Sequence, residues 1–167
     1  MRTLLIMRHA KSGWDNPDLA DFDRPLNSRG LKTAPFMGNI IYENDLQPDF
    51  IISSPAKRAK QTAILVKETA QIETKIEYEE KIYEASPTTL LYVAAGIPDE
   101  KESVLLVGHN PGIEGFIRML TGESSVIRTA AIAKISLNIE KWSEIAANSG
   151  TLDLLMRPKD LMKRVEI

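Results

Sequence analysis

The two histidines of this 167-residue chain stand in similar surroundings, each just after a short apolar run. Arg8 directly precedes His9, and a glycine precedes His109. A third apolar run leads through two serines and a proline toward Arg58. The three runs cover residues 3–7, 50–52 and 103–107. Because ligands of open α/β sheets bind beyond the carboxyl ends of the strands, we expect these four side chains to share one crevice.

Two arginines and two histidines in one crevice indicate phosphate chemistry. No carboxylate lies within the strand-end motifs, so we expect a cationic pocket, and the guanidinium groups of Arg8 and Arg58 match phosphate oxygens. A neutral imidazole at His9 can attack phosphorus and give a covalent phosphohistidine that water hydrolyses. Its other ring nitrogen then needs an acceptor, for which a backbone carbonyl is the natural candidate. A protonated His109 would stabilise the phosphate charge, and the phosphate would favour that protonation.

Each of these residues also has an ordinary interpretation. A histidine after a strand is commonly a hydrogen-bonded loop residue, and a single arginine is commonly a solvated surface residue. The two histidines, with Asp15 or Glu84, could instead ligate zinc or iron. The neighbouring arginines disfavour that site because they repel a dication, and no His-x-x-x-His spacing is present. We therefore expect neither a metal nor another cofactor.

The elements that must position these residues follow an alternating pattern. Strands are expected at residues 3–7, 50–52, 75–78, 103–107, 131–137 and 151–156. Helices are expected to begin near residues 28, 55, 87 and 111 and to run to about residues 42, 70, 96 and 120. Ser54 suits the N-cap of the second helix and Pro55 its first position. The pattern predicts an α/β three-layer sandwich with a mostly parallel central sheet, its last two strands forming an antiparallel pair at one side.

Composition narrows the class of protein. A formal net charge of -2 and a pI of about 5.8 do not favour bulk nucleic-acid binding. The chain has no cysteine, which excludes a disulfide within it, a thiolate zinc site and a cysteine nucleophile. No apolar stretch approaches the roughly 20 residues of a membrane span, and the first apolar run is too short for a signal peptide. We expect one domain over residues 1–167, in a cytoplasmic protein that binds neither nucleic acid nor membrane.

Three segments, in order, resemble the signatures of the histidine phosphatase superfamily, which has the phosphoglycerate mutase-like fold. They read Leu-Ile-Met-Arg-His-Ala-Lys-Ser, Ser-Ser-Pro-Ala-Lys-Arg-Ala-Lys-Gln-Thr-Ala and Val-Gly-His-Asn-Pro-Gly, at residues 5–12, 53–63 and 107–112. A further segment, Asp-Arg-Pro-Leu-Asn-Ser-Arg-Gly at residues 23–30, is similar to the SixA-type phosphohistidine phosphatase branch. Ala10 is a departure, because the wider superfamily usually has glycine there.

The resemblance implies a role for each matching residue. His9 takes the place of the family nucleophile. Arg8, Arg58 and His109 take the places of its phosphate-binding residues. Asn110, beside His109, is expected to help shape the phosphate pocket.

Glu84 is the candidate general acid. The resemblance implies a glutamate acid in mutase-like members, and Glu84 lies at a comparable place in the segment at residues 82–87. A solvated residue ahead of the helix at Ser86 explains it equally well. SixA-type enzymes, as the resemblance suggests, can lack this acid. That is chemically reasonable because a phosphoramidate P–N bond is labile, whereas an ester leaves as an alkoxide and needs a proton donor more.

Three functions remain open. The first is a phosphatase for phosphohistidine in a protein, such as a histidine phosphotransfer domain. The second is a phosphatase for small phosphate esters that uses Glu84 as general acid. The third is a non-catalytic module that binds phosphoproteins. Only a helix and a strand fit between Glu84 and His109, so we expect an open site, which suits a protein substrate better than an enclosed metabolite.

Overall fold

A single six-stranded sheet organises the protein, whose computed structural model describes residues 1–165. Its strands are β1 (Arg2–Arg8), β2 (Phe50–Ser53), β3 (Ile76–Tyr78), β4 (Ser103–Gly108), β5 (Ile132–Leu137) and β6 (Gly150–Met156). The strand order is β3-β2-β4-β1-β5-β6. The first four strands in this order are parallel, and β5 and β6 are antiparallel to their neighbours. The predicted α/β class and the antiparallel pair at one side are confirmed.

Helices cover both faces of the sheet. They are α1 (Ser28–Glu43), α2 (Lys57–Ala70), α3 (Pro87–Ala95), α4 (Gly112–Thr121) and α5 (Pro158–Val165). Short 3₁₀ helices lie at Asp21–Asp23, Glu80–Ile82 and Trp142–Glu144. The first four α-helices were expected, and α5 was not. Across residues 1–165, none of the helices combines the length and the apolar character that crossing a membrane requires.

The central strands are apolar on both faces, as parallel strands between two helical layers should be. In β1, Leu4 and Ile6 belong to the core shared with α3 and α4. Leu5 and Met7 belong to the core shared with α1 and α2. All four side chains are fully buried. The continuous apolar run that predicted this strand therefore reflects burial from two sides.

The start of α2 differs from the prediction. Ser54 was expected to cap this helix, but α2 begins at Lys57, and its N-cap residue Ala56 makes no side-chain cap bond. The Ser54 hydroxyl is fully buried, accepts from the Ala56 amide at 3.2 Å and bonds His109 at 2.8 Å. Ser54 therefore orients His109 at the strand ends, and the helix begins three residues later, at Lys57.

The start of α1 holds the loop that follows the first histidine. Asn27 caps this helix by accepting from the Gly30 amide at 2.9 Å. The Asn27 amide in turn donates to the Lys11 carbonyl at 3.0 Å. Gly30 packs so closely on Lys11 that an added Cβ would overlap its carbonyl oxygen. The missing side chain of Gly30 therefore lets α1 approach this loop.

We expect Gly30→Ala to lower the free energy of unfolding by about 2 kcal/mol, the scale of an overpacked backbone contact. Gly96→Ala is the matched control, because its Cβ would meet only ordinary contacts at 3.5 Å or more, and it should change stability by less than about 0.5 kcal/mol. Urea titration measures both. Equal stability of the two variants would contradict the close packing of Gly30 on Lys11.

Candidate active site

His9 lies just beyond the end of β1 and is tied at two points. Its backbone amide donates to the Gly108 carbonyl at 3.0 Å, continuing the β1–β4 pairing. Its ring Nδ1 lies 2.7 Å from the Ala10 carbonyl oxygen. Because a carbonyl can only accept, Nδ1 carries the proton, and Nε2 keeps its lone pair. The backbone-carbonyl partner predicted for this imidazole is confirmed, and Nε2 is the atom able to attack.

A threonine of α2 fixes the backbone on which His9 depends. The Thr62 hydroxyl accepts from the Ala10 amide at 2.9 Å and donates to the Arg58 carbonyl at 2.7 Å. Thr62 is completely buried. One hydroxyl therefore connects the residue that orients His9 with the turn of helix that carries Arg58.

His109 follows β4 and faces His9, with 5.1 Å between the ring centroids. Its Nε2 bonds the Ser54 hydroxyl at 2.8 Å, so the end of β2 orients it. Its Nδ1 is buried and has no hydrogen-bond partner within residues 1–165. Because this nitrogen is shielded from solvent, a protonated His109 would act on a bound anion through the charge of its ring.

The Ile127 backbone joins Arg8 to Asn110. The Ile127 carbonyl accepts from Arg8 Nη1 at 3.2 Å and from Asn110 Nδ2 at 2.9 Å. The Ile127 amide donates to the Glu114 carboxylate at 2.8 Å, which anchors this loop to α4. Asn110 therefore uses one of its two Nδ2 hydrogens inside the protein, and its buried Oδ1 has no partner among the described residues. The bond to Ile127 fixes the side chain at the edge of the pocket and leaves one N–H free to donate.

A carboxylate that the sequence analysis did not expect lies beside Arg58 at the edge of the site. Asp21 accepts from Arg58 Nη2 at 3.1 Å, from Arg24 Nη1 at 2.9 Å and from the Tyr83 hydroxyl at 2.6 Å. Its backbone carbonyl accepts from Arg58 Nη1 at 2.7 Å. The site therefore has a net positive charge, of which Asp21 offsets a part. Asp21 holds Arg58 in place and also competes for its terminal nitrogens.

Burial sets the protonation of both histidines. Burial lowers the pKa of His9 to about 4, against the opposing hydrogen bond to Ala10, and Arg58 and Arg8 lower it further. Burial lowers the pKa of His109 to about 3, with His9 and Arg58 adding to the effect. Both rings are therefore neutral at pH 7. The positive charge expected on His109 is not supplied by the protein alone and would have to be induced by a bound anion.

The hydrogen bond between Asp21 and Tyr83 shifts the pKa values of the two groups in opposite directions. The hydrogen bond from Tyr83, followed by those from Arg24 and Arg58, lowers the pKa of Asp21 to about 2. The same hydrogen bond raises the pKa of Tyr83 to about 12. Asp21 is therefore an anion at pH 7 and no source of protons, while Tyr83 keeps its hydrogen.

Two cavities meet at the histidines. The first, of about 340 Å³, is bordered by Arg8, His9 and His109 and is referred to below as the phosphate pocket. The second, of about 740 Å³, adjoins it through Arg58 and His109 and is lined by Glu84. Of the five residues named as catalytic from the sequence, Arg8, His9, Arg58 and His109 line the phosphate pocket, and Glu84 lines the adjoining cavity.

Glu84 reaches the second cavity through an unusual backbone conformation. Its φ is +55°, in the left-handed region that residues with a side chain seldom adopt. Gly112, at the start of α4, packs against the Ala85 carbonyl so closely that a Cβ would overlap it. This contact keeps the Glu84 turn beside His109. Glu84 is exposed, and no hydrogen bond ties its carboxylate to His9 within the described part of the chain.

Sequence reasoning missed the residues that hold the side chains and backbone of the pocket in place. They are Asp21, Arg24, Ser54, Thr62 and Tyr83. Arg24, Ser54 and Thr62 lie inside the segments that carry the family resemblance, which was the available signal. Asp21 lies in a loop without periodicity, and nothing in the sequence points to it. Within residues 1–165, no three histidine, aspartate or glutamate side chains converge as a metal-ligand set.

Comparison with known proteins identifies the class that this fold and site define. Residues 4–90 match the model of the histidine phosphatase superfamily, branch 1, and the chain belongs to that superfamily. It is accordingly a phosphatase. The uncharacterized protein ML1117 of Mycobacterium leprae is 34% identical over 159 residues, which cover 87% of this chain and 96% of that protein.

Solved structures narrow the branch to the SixA type. A structure from Agrobacterium tumefaciens, assigned as the phosphohistidine phosphatase SixA, is 29% identical with a TM-score of 0.81, covering 94% of this chain and 98% of that one. The protein histidine phosphatase SixA complexed with tungstate gives a TM-score of 0.83 at 24% identity, covering 95% and 99%. The recognition of the superfamily and of its SixA-type branch from sequence is confirmed.

Both histidines should titrate well below the usual 6.5. Protonation adds a positive charge that burial and the arginines oppose, so we expect midpoints below about pH 5 in imidazole NMR spectra, with His9→Gln assigning the signals. Between the folded and unfolded values the unfolded chain binds more protons. The two histidines therefore lower stability as pH falls from 6.5 toward 4. The urea-unfolded chain is the control, and a folded-state midpoint near 6.5 for either ring would contradict the burial argument.

Proposed function

We propose that the protein removes the phosphoryl group from phosphohistidine in another protein, through a covalent phosphohistidine on His9. The observation that carries this proposal is the state of the His9 ring. Its Nδ1 is committed to the Ala10 carbonyl, and its low pKa leaves Nε2 unprotonated at pH 7. The SixA assignment of the Agrobacterium tumefaciens structure supports phosphohistidine as the substrate.

The first step forms a bond between His9 Nε2 and phosphorus and breaks the P–N bond to the substrate imidazole. The electron pair leaves with the substrate nitrogen, which takes a proton from water. Arg8 and Arg58 stabilise the equatorial oxygens, and the dianion raises the pKa of His109 so that its protonated ring adds positive charge beside them. Both terminal nitrogens of Arg58 already donate one hydrogen to Asp21, so Arg58 would meet the phosphoryl group with its remaining N–H groups.

The second step returns the enzyme to its starting state. Water attacks phosphorus, the bond to His9 Nε2 breaks, and inorganic phosphate leaves. The proton released by water passes to phosphate or solvent. Nδ1 of His9 keeps its hydrogen bond to Ala10 throughout, so the ring needs no change of tautomer between the two steps.

A phosphatase for small phosphate esters is the second candidate. The observation that favours it is the place of Glu84, which lines the cavity adjoining His109 and Arg58. From there a protonated carboxyl could serve an alkoxide leaving group. The phosphohistidine substrate is preferred because its imidazole leaving group needs no such acid and because the site is not enclosed by an inserted domain.

A non-catalytic module that binds phosphoproteins is the weaker third interpretation. Phosphate binding requires cationic donors but does not require an unprotonated Nε2 on His9.

The substrate we propose is a phosphorylated protein such as a histidine phosphotransfer domain, and the proposed location is the cytoplasm. Binding of nucleic acid or of a membrane forms no part of the proposal.

Replacing the nucleophile tests the proposal. We expect His9→Ala to reduce turnover of a phosphohistidine protein by about 10³-fold or more, the scale of removing a nucleophile. Thermal unfolding should show an intact fold, since the ring contributes one local hydrogen bond. Lys67→Ala, a change on α2 outside both cavities, is the control and should retain full activity. Turnover by His9→Ala within tenfold of the parent would remove His9 from the mechanism.

Glu84→Gln separates the first candidate from the second. If phosphohistidine is the substrate, this variant should keep its turnover within about threefold, because the imidazole leaving group needs no general acid. Hydrolysis of p-nitrophenyl phosphate is measured beside it. Glu80→Gln removes a nearby exposed carboxylate as the control. Strong ester turnover by the parent that falls about 100-fold in Glu84→Gln alone would favour the ester phosphatase.

A further inference from the structure

A third cavity, of about 700 Å³, lies between α1, the loop before β5 and the start of α5. Four basic side chains line it, against one acidic side chain, Asp160. The four are Arg29, Arg128, Arg157 and Lys159, and we call this cavity the basic cleft. No carboxylate in residues 1–165 lies within salt-bridge distance of any of them. A chain with a formal net charge of -2 therefore concentrates positive charge at one place on its surface.

The basic cleft adjoins the phosphate pocket. Thr129 lines both cavities. The next residue, Ala130, donates its backbone amide to the carbonyls of Arg8 and His9 at 3.0 and 3.1 Å. The loop that lines the cleft is thus bonded to the strand end that carries the nucleophile. A substrate whose phosphoryl group reaches His9 brings its neighbouring residues to this cleft.

The chemistry of the cleft selects anions other than the transferred phosphoryl group. Three of its four basic residues are arginines, whose planar forks bind carboxylates in pairs of hydrogen bonds. Clustered like charges repel one another, and a partner of opposite charge relieves that repulsion. The volume is about twice that of the phosphate pocket, so it accommodates several side chains of a polypeptide.

We propose that the basic cleft docks an acidic segment of the phosphoprotein substrate, next to its phosphohistidine. This inference rests on the proposed function for the nature of the substrate, and it assigns a recognition surface outside the catalytic groups. Aspartate and glutamate side chains of the partner pair with the arginines while the phosphoryl group occupies the pocket at His9. The positive charge of the basic cleft speeds association with acidic partners, and the affinity falls as salt screens the charges.

Direct binding tests the docking without requiring turnover. The probe is a fluorescent peptide with several glutamates around one histidine, and its partner peptide has glutamine at each glutamate. In low salt we expect Arg29→Gln/Lys159→Gln to bind the acidic peptide about tenfold more weakly than the parent, the sum of two exposed ion pairs. Arg29→Glu/Lys159→Glu should weaken it further. Thermal unfolding checks that these surface variants remain folded.

The matched control is Arg118→Gln/Lys141→Gln, which removes two exposed positive charges outside the basic cleft and should bind like the parent. Equal affinity of the parent for both peptides, or of the parent and Arg29→Gln/Lys159→Gln for the acidic peptide, would overturn the proposal. A small bisphosphate is measured beside the peptides, and a loss of affinity in Arg29→Gln/Lys159→Gln for the bisphosphate alone would also overturn the proposal, because it would assign the cleft to a second phosphate. Because no turnover is measured, these results stand whether or not His9 accepts phosphate.

Discussion

The parallel pairing of β1 with β4 is the constraint on which the site depends. The register places Arg8 opposite Gly108, and the amide of His9 continues it by donating to the Gly108 carbonyl. The next residues of the two strands are therefore both histidines, with ring centroids 5.1 Å apart. A slip of one residue would turn the side chains of β1 to the other face and separate the pair. The core that fixes this register thus determines whether the two histidines meet.

Burial and charge then act together on His9, the proposed nucleophile. The packing that excludes water from His9 also keeps its imidazole neutral, and the arginines that would hold a phosphoryl group reinforce that neutrality. A ring with Nδ1 bonded to a carbonyl and Nε2 unprotonated results without any neighbouring base. Asp21 balances part of the positive charge, so that Arg58 is held in place by an ion pair at 3.1 Å. The positive charge of the site is therefore partly balanced within the protein itself.

The strand ends were predictable because doubly buried strands leave continuous apolar runs in the sequence. His9, Arg58 and His109 could therefore be placed in one crevice before any coordinates. The loop that carries Asp21 has no such periodicity, and its approach to Arg58 depends on tertiary packing alone. Local sequence preference predicts a helix cap at Ser54, because serine is strongly favoured at that position. Its hydroxyl instead serves His109, a contact across two strands that no local pattern reveals.

The central claim is that His9 carries the phosphoryl group, and trapping it is the most direct measurement. The protein is mixed with a phosphohistidine protein, quenched in alkali within milliseconds, and mapped by mass spectrometry. The account predicts one acid-labile phosphoryl group on the peptide that contains His9, appearing and decaying with turnover and absent in His9→Ala. Continued turnover with no phosphoryl group on His9, or with one on another residue, would contradict it.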